Sequence, residues 1–134
     1  MSIQTVQKIM KKQPVTVQCN TPLTDIIDTL ISSQKPQLPV VDSNKALIGV
    51  VSLIDCQKAL LISAYHCDKP VKVNDVMAKE FTFLSINEDL SEVAIKTQHL
   101  SENIFPVVDN GKLVAIVNRA DLLLHLQNNL ALCA

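Results

Sequence analysis

Leu38-Pro39-Val40-Val41-Asp42 returns later in the chain as Phe105-Pro106-Val107-Val108-Asp109, 67 residues on. The same offset carries Met10 onto Met77, Asn20 onto Asn87 and Leu23 onto Leu90. Past the second copy the offset falls to 66, a one-residue deletion in a loop. It then lays Gly49-Val50-Val51-Ser52-Leu53-Ile54-Asp55 over Ala115-Ile116-Val117-Asn118-Arg119-Ala120-Asp121. Two degenerate halves read as one pseudo-symmetric domain with paired, equivalent clefts. Repeat one covers residues 6–66, a connector 67–72 and repeat two 73–132. Paired clefts lean away from catalysis, since active sites are more often asymmetric.

Each half is punctuated as strand, helix, strand, strand, helix. Val15-Thr16-Val17 predicts a short strand. Thr21 follows as an N-cap with Pro22 at the first helical position, where its missing N–H costs nothing. Leu23, Ile26, Ile27, Leu30 and Ile31 form an apolar helical stripe, and Pro36 stops that helix. Leu38–Val41 and Leu47–Val51 are strands joined through Asp42-Ser43-Asn44-Lys45, and Ser52 starts a helix running to about His66. In the second half Phe81–Leu84 predicts a strand, and a helix begins near Asn87 with Leu90 and Val93 as anchors. Phe105–Val108 pairs with Leu113–Val117 across Asn110-Gly111, a strong hairpin signal. The last helix takes Leu122, Leu123, Leu126 and Leu130 inward.

Composition narrows the function. The 134 residues suffice for one domain with its own core. The chain is 48% apolar but only 3% aromatic, so that core is Val, Ile, Leu and Ala. A net charge of −1, without a long basic block, argues against nucleic acid. No apolar run approaches the roughly 18 residues a membrane helix needs. The scattered cysteines Cys19, Cys56, Cys67 and Cys133 read as reduced thiols, and a cytoplasmic location is expected. His66, His99 and His125 lack zinc spacing, and no Gly-rich phosphate loop is present. No catalytic residues, metal or required cofactor are expected.

The ordered set of [L/F]-P-V-V-D, then apolar-[G/A]-apolar-Val-[S/N]-x-x-Asp, preceded by apolar-x-x-[I/V]-Met, resembles the cystathionine-β-synthase (CBS) domain. Its occurrence twice, from about Val6 to Leu124, resembles the tandem CBS pair, or Bateman module. The resemblance implies an α/β (α+β) fold of two β-α-β-β-α repeats packed through their sheets with pseudo-two-fold symmetry. It also implies clefts for AMP, ADP, ATP or S-adenosylmethionine, and homodimers.

Ser52-x-x-Asp55 and Asn118-x-x-Asp121 lie where a strand ends and a helix starts, a place suited to phosphate and ribose. By the resemblance, Asp55 and Asp121 hold ribose and Ser52 approaches phosphate, while Asn118 departs from the usual hydroxyl residue. The same pattern also reads as a capping box that needs no ligand. Arg119, where the first half has Leu53, offers a fork for phosphate and ranks the second cleft first. Lys11, Lys12 and Lys79 follow the two methionines near the adenine end that the resemblance implies. Val15, Thr16, Phe81 and Thr82 are candidates to flank a base, and Leu38, Pro39, Ile104, Phe105 and Pro106 are candidate apolar walls. The expected function is a non-enzymatic module sensing an adenosine-containing ligand and signalling to a partner protein. A ligand-free dimerisation scaffold is the alternative.

Overall fold

The computed structural model describes residues 4–64 and 70–132. Along the chain run a 3-10 turn (Val6–Lys8), β1 (Lys11–Lys12), β2 (Val17–Gln18), α1 (Leu23–Ser33), β3 (Gln37–Val41), β4 (Leu47–Ser52) and α2 (Leu53–Ser63). There follow α3 (Val73–Val76), β5 (Leu84–Ser85), α4 (Leu90–Thr97), β6 (Ile104–Asp109), β7 (Lys112–Asn118) and α5 (Arg119–Leu132). The chain divides into two compact units: Val15–Phe81, and the segment up to Pro14 together with everything from Thr82 onward.

Each unit realises β-α-β-β-α. In the first, β2 pairs parallel with β3 and β3 antiparallel with β4. In the second, β5 pairs parallel with β6, β6 antiparallel with β7, and β1 adds antiparallel to the free edge of β7. Val50 and Ala78 exchange backbone hydrogen bonds of 3.0 and 2.8 Å at the position where Lys11 pairs with Ile116. The hairpin β3–β4 shifts register between Val40 and Val41, and β6–β7 does so between Val107 and Val108. The repeat is thus preserved even in its irregularities.

The units do not coincide with the sequence repeats. Val6, which opens repeat one, is fully buried in the core built by Leu84, Leu90, Phe105 and Leu122 of repeat two. Its N–H donates to Glu88 O at 2.9 Å, and Leu90 N–H donates to Gln4 O at 2.8 Å. Val73, which opens repeat two, is buried with Leu23, Ile26, Leu30 and Val51 of repeat one, through the corresponding bonds Val73 N–H to Thr21 O and Leu23 N–H to Val71 O. Each apolar-x-x-[I/V]-Met segment therefore completes the other half's core. Burying one such side chain stabilises by about 1.5–3 kcal/mol.

Several local expectations change. Pro22, not Thr21, is the N-cap of α1, and the Thr21 hydroxyl instead donates to Gln18 O at 2.6 Å, closing the turn before it. That helix stops at Ser33 because Gln34 takes a left-handed conformation (φ 57°). Gln34 N–H then bonds Ile31 O and Lys35 N–H bonds Leu30 O, a Schellman closure ahead of Pro36. The strands expected at 15–17 and 81–84 shrink to Val17–Gln18 and Leu84–Ser85, and α4 starts at Leu90 behind Asp89 rather than near Asn87. The helix expected to reach His66 ends at Ser63, and His66 lies outside the described residues. Asn110 and Gly111 both have positive φ, as the two-residue turn requires. Of the four α5 leucines expected to point inward, Leu122 is buried outright, Leu126 packs partly, and Leu123 and Leu130 are exposed.

Candidate functional site

In both units a strand gives way to a helix at the expected residues, but the two junctions differ. At β4–α2 the capping box is closed. Ser52 N–H donates to Asp55 Oδ2 at 3.0 Å, and Asp55 N–H donates to Ser52 Oγ at 3.1 Å. Both side chains serve the helix start. One turn in, Cys56 is buried, and that burial, with the Asp55 charge, pushes its thiol pKa up, so it is a neutral core side chain.

At β7–α5 the carboxylate is held more loosely. Asn118 Nδ2 donates to Asp121 Oδ2 at 3.3 Å. Asp121 also borders a cavity of about 300 Å³. One wall is Lys8, Ile9, Met10 and Lys11; the other is the face of α5 carrying Asp121, Leu124, His125 and Asn128. Spacing of i, i+3, i+4 and i+7 puts those four on one side of the helix. Lys12, next to Lys11 in an extended strand, is not among the lining residues, in keeping with strand alternation. His125 is buried to 9% exposure, and its Nε2 lies 3.3 Å from Asn129 Nδ2. An Asn129 N–H donates to Nε2 in the tautomer that carries the ring proton on Nδ1.

Arg119 is committed elsewhere. Its Nε donates to Glu102 O at 3.0 Å, and its Nη2 donates to Glu102 O, Leu100 O and Thr97 O at 2.6, 2.9 and 3.3 Å. The guanidinium also lies 5.2 Å from the centre of the Phe105 ring. It thus ties the last residue of α4, Thr97, whose carbonyl lacks a helical partner, to the loop carbonyls of Leu100 and Glu102 that follow.

The remaining candidates divide by burial. Phe105 has no exposed surface and belongs to the core, and Ile104, Pro106, Leu38 and Pro39 are buried in their strands. Val15 is exposed, Thr16, Phe81 and Thr82 are half-buried, and none of these four lies in a strand. Lys79 is exposed. Of the candidate ligand residues, Asp121 is the one at the cavity, where the noted Met10 and Lys11 join it. Sequence reasoning missed Lys8, Ile9, Leu124, His125 and Asn128 as lining. Helical spacing from Asp121 was the signal that would have found the last three. Among the described residues no cluster of His, Cys, Asp and Glu is arranged to hold a metal, and no helix is long and apolar enough to cross a membrane.

A model of the CBS domain matches the chain twice, over residues 6–62 and 73–128. The chain belongs to the CBS domain family. Its fold is similar to the CBS domain pair of protein MJ0100 in complex with 5′-methylthioadenosine and S-adenosyl-L-methionine: TM-score 0.76, 26% identity, 96% of this chain and 99% of that one covered. It is also similar to CBSX2 of Arabidopsis thaliana in complex with AMP: TM-score 0.78, 26% identity, 92% and 96% covered. The CBS domain-containing protein MJ0729 of Methanocaldococcus jannaschii is 27% identical over 132 residues, covering 96% of this chain and 99% of that protein. Other curated relatives are much longer. The match to homoserine O-acetyltransferase of Methanococcus vannielii, 25% identical over 118 residues, takes in 87% of this chain and only 24% of that protein.

Proposed function

We propose that this CBS pair is a regulatory module that binds an adenosine-containing ligand at the Asp121 cavity and communicates occupancy to a partner protein, without catalysing a reaction itself. The observation that carries the reading is the half-buried Asp121 at the mouth of a cavity, in a family whose similar members hold AMP, 5′-methylthioadenosine and S-adenosylmethionine. A carboxylate accepts both hydroxyls of a ribose cis-diol, and the apolar side chains of Ile9, Met10 and Leu124 offer a surface for a base. The closed Ser52–Asp55 box favours the second reading, a ligand-free scaffold, for the other junction. Thermal melting of the chain with millimolar AMP, ADP, ATP, 5′-methylthioadenosine and S-adenosylmethionine tests the proposal. A ligand at a hundred times its Kd adds about 2.7 kcal/mol of stability, and Asp121→Ala abolishes that gain while Asp55→Ala retains it. A melting temperature that none of the five ligands moves leaves the scaffold reading standing.

A further inference from the structure

The two halves of the repeat permit a position-by-position comparison of the cavity with its counterpart. Lys8 and Lys11 correspond to Asp75 and Ala78, and His125 and Asn128 to Ala59 and Ile62. The two lysines, the imidazole and the Asn128 amide therefore belong to the unit that contains Asp121 alone, and the counterpart of Lys8 is a carboxylate of opposite charge. The packing differs as well. A Cβ on Gly49 would lie 2.5 Å from Met77 Sδ, so in the first unit the methionine side chain rests directly on the glycine. In the second unit that glycine is replaced by the buried Ala115, and Met10 lines the cavity.

We propose that the Asp121 cavity selects phosphate-bearing adenosine ligands over cationic sulfonium ones, with His125 as the specificity residue. The inference rests on the reading given under Proposed function. His125 stands one helical turn beyond Asp121, about 5–6 Å along the same face, a distance comparable to that between a ribose cis-diol and its 5′ substituent. A ribose seated on Asp121 thus presents its 5′ group to His125. Among the described residues Nε2 has the one hydrogen bond of this ring, to Asn129, and Nδ1 has no protein partner. With Nε2 accepting from Asn129, Nδ1–H is left as the donor for a phosphate oxygen. Lys8 and Lys11 on the opposite wall add two positive charges against the single negative charge of Asp121. That balance attracts a phosphate and repels a sulfonium. Arg119, held by the carbonyls of Thr97, Leu100 and Glu102, is not needed for this selection.

Calorimetry on the full chain with adenosine, AMP, 5′-methylthioadenosine and S-adenosylmethionine tests the inference. AMP is expected to bind about tenfold to a hundredfold more tightly than adenosine, the range of one charge-assisted hydrogen bond, and S-adenosylmethionine more weakly than 5′-methylthioadenosine. His125→Leu, and separately the exposed pair Lys8→Ala with Lys11→Ala, each reduce the AMP-to-adenosine ratio, by lowering AMP affinity more than adenosine affinity. The ratio is the informative quantity, because a general loss of fold weakens both ligands alike. Should His125→Leu unfold the chain, the lysine pair and the sulfonium comparison decide. Adenosine binding with no preference for AMP overturns this inference and leaves the proposed function intact; no binding by any of the four probes overturns both. A preference that survives His125→Leu in a folded chain removes the role given to His125.

Discussion

Gly49 shows how a single hydrogen in place of a methyl shapes one unit. Its φ is not in the left-handed region, so backbone freedom does not explain it. The explanation is space: a Cβ there would stand 2.5 and 2.9 Å from Met77 Sδ and Cγ, and 3.0 Å from Ala78 O. The backbone contact cannot yield without disturbing the Val50–Ala78 bridge. Gly49→Ala is therefore expected to destabilise the chain by about 1–3 kcal/mol, the cost of overpacking, read as a lower denaturant midpoint at unchanged slope. Met77→Ala in the same chain should reduce the additional cost of Gly49→Ala, a coupling that a double-mutant cycle measures. Additive effects would mean that Met77 is not what excludes the methyl. The lesson for reading sequence is local. The Gly49–Ala115 difference was visible in the repeat, yet its consequence for Met77 and Met10 depends on packing between segments far apart in the chain.

At the scale of elements, Arg119 joins the start of α5 to the end of α4. Thr97, Leu100 and Glu102 each offer it a backbone carbonyl, and Phe105 a ring face. Arg119→Ala leaves those carbonyls without their charged donor, and a loss of about 1.5–3 kcal/mol is expected for a hydrogen bond to a charged group. Arg119→Lys restores charge but not the planar fork, so it remains less stable than the parent. Urea unfolding, with amide exchange of α4 as the local probe, checks both. A fully stable Arg119→Ala chain that has lost AMP affinity would return the guanidinium to the phosphate. Sequence reasoning put Arg119 at a ligand because its carbonyl partners lie 17 to 22 residues earlier, beyond any local pattern. The elements themselves were legible where periodicity and turn chemistry coincide, as at the Leu23–Leu30 stripe and the Asn110-Gly111 turn. They were misplaced where one residue decides, as with the cap that passed from Thr21 to Pro22. Asp121 was legible from its motif and His125 and Asn128 from helical spacing beyond it, whereas the facing wall of Lys8–Lys11 depends on packing between segments more than a hundred residues apart.

At the scale of the whole molecule, each unit fills its own core and leaves apolar helix surface over. On α2, Ile54 and Leu61 are 64% and 61% exposed; on α5, Leu123 and Leu130 are 58% and 72% exposed. Both pairs are seven residues apart, so each forms a short stripe along one side of its helix. Leu124 is already used by the cavity wall, which leaves the Leu123–Leu130 stripe without a partner among the described residues. Isolated exposed leucines are ordinary, but stripes of this kind on two helices form apolar surface that soluble chains commonly cover by association. A second copy is the cheapest cover, since an isologous contact uses the same stripe twice. Light scattering is therefore expected to give a dimer at high micromolar concentration. Leu61→Lys or Leu123→Lys shifts it toward monomer, while either change costs the isolated fold within about 0.5 kcal/mol, as for other surface substitutions. A monomer in the parent chain, or a dimer untouched by both lysines, would show that these stripes are merely solvated.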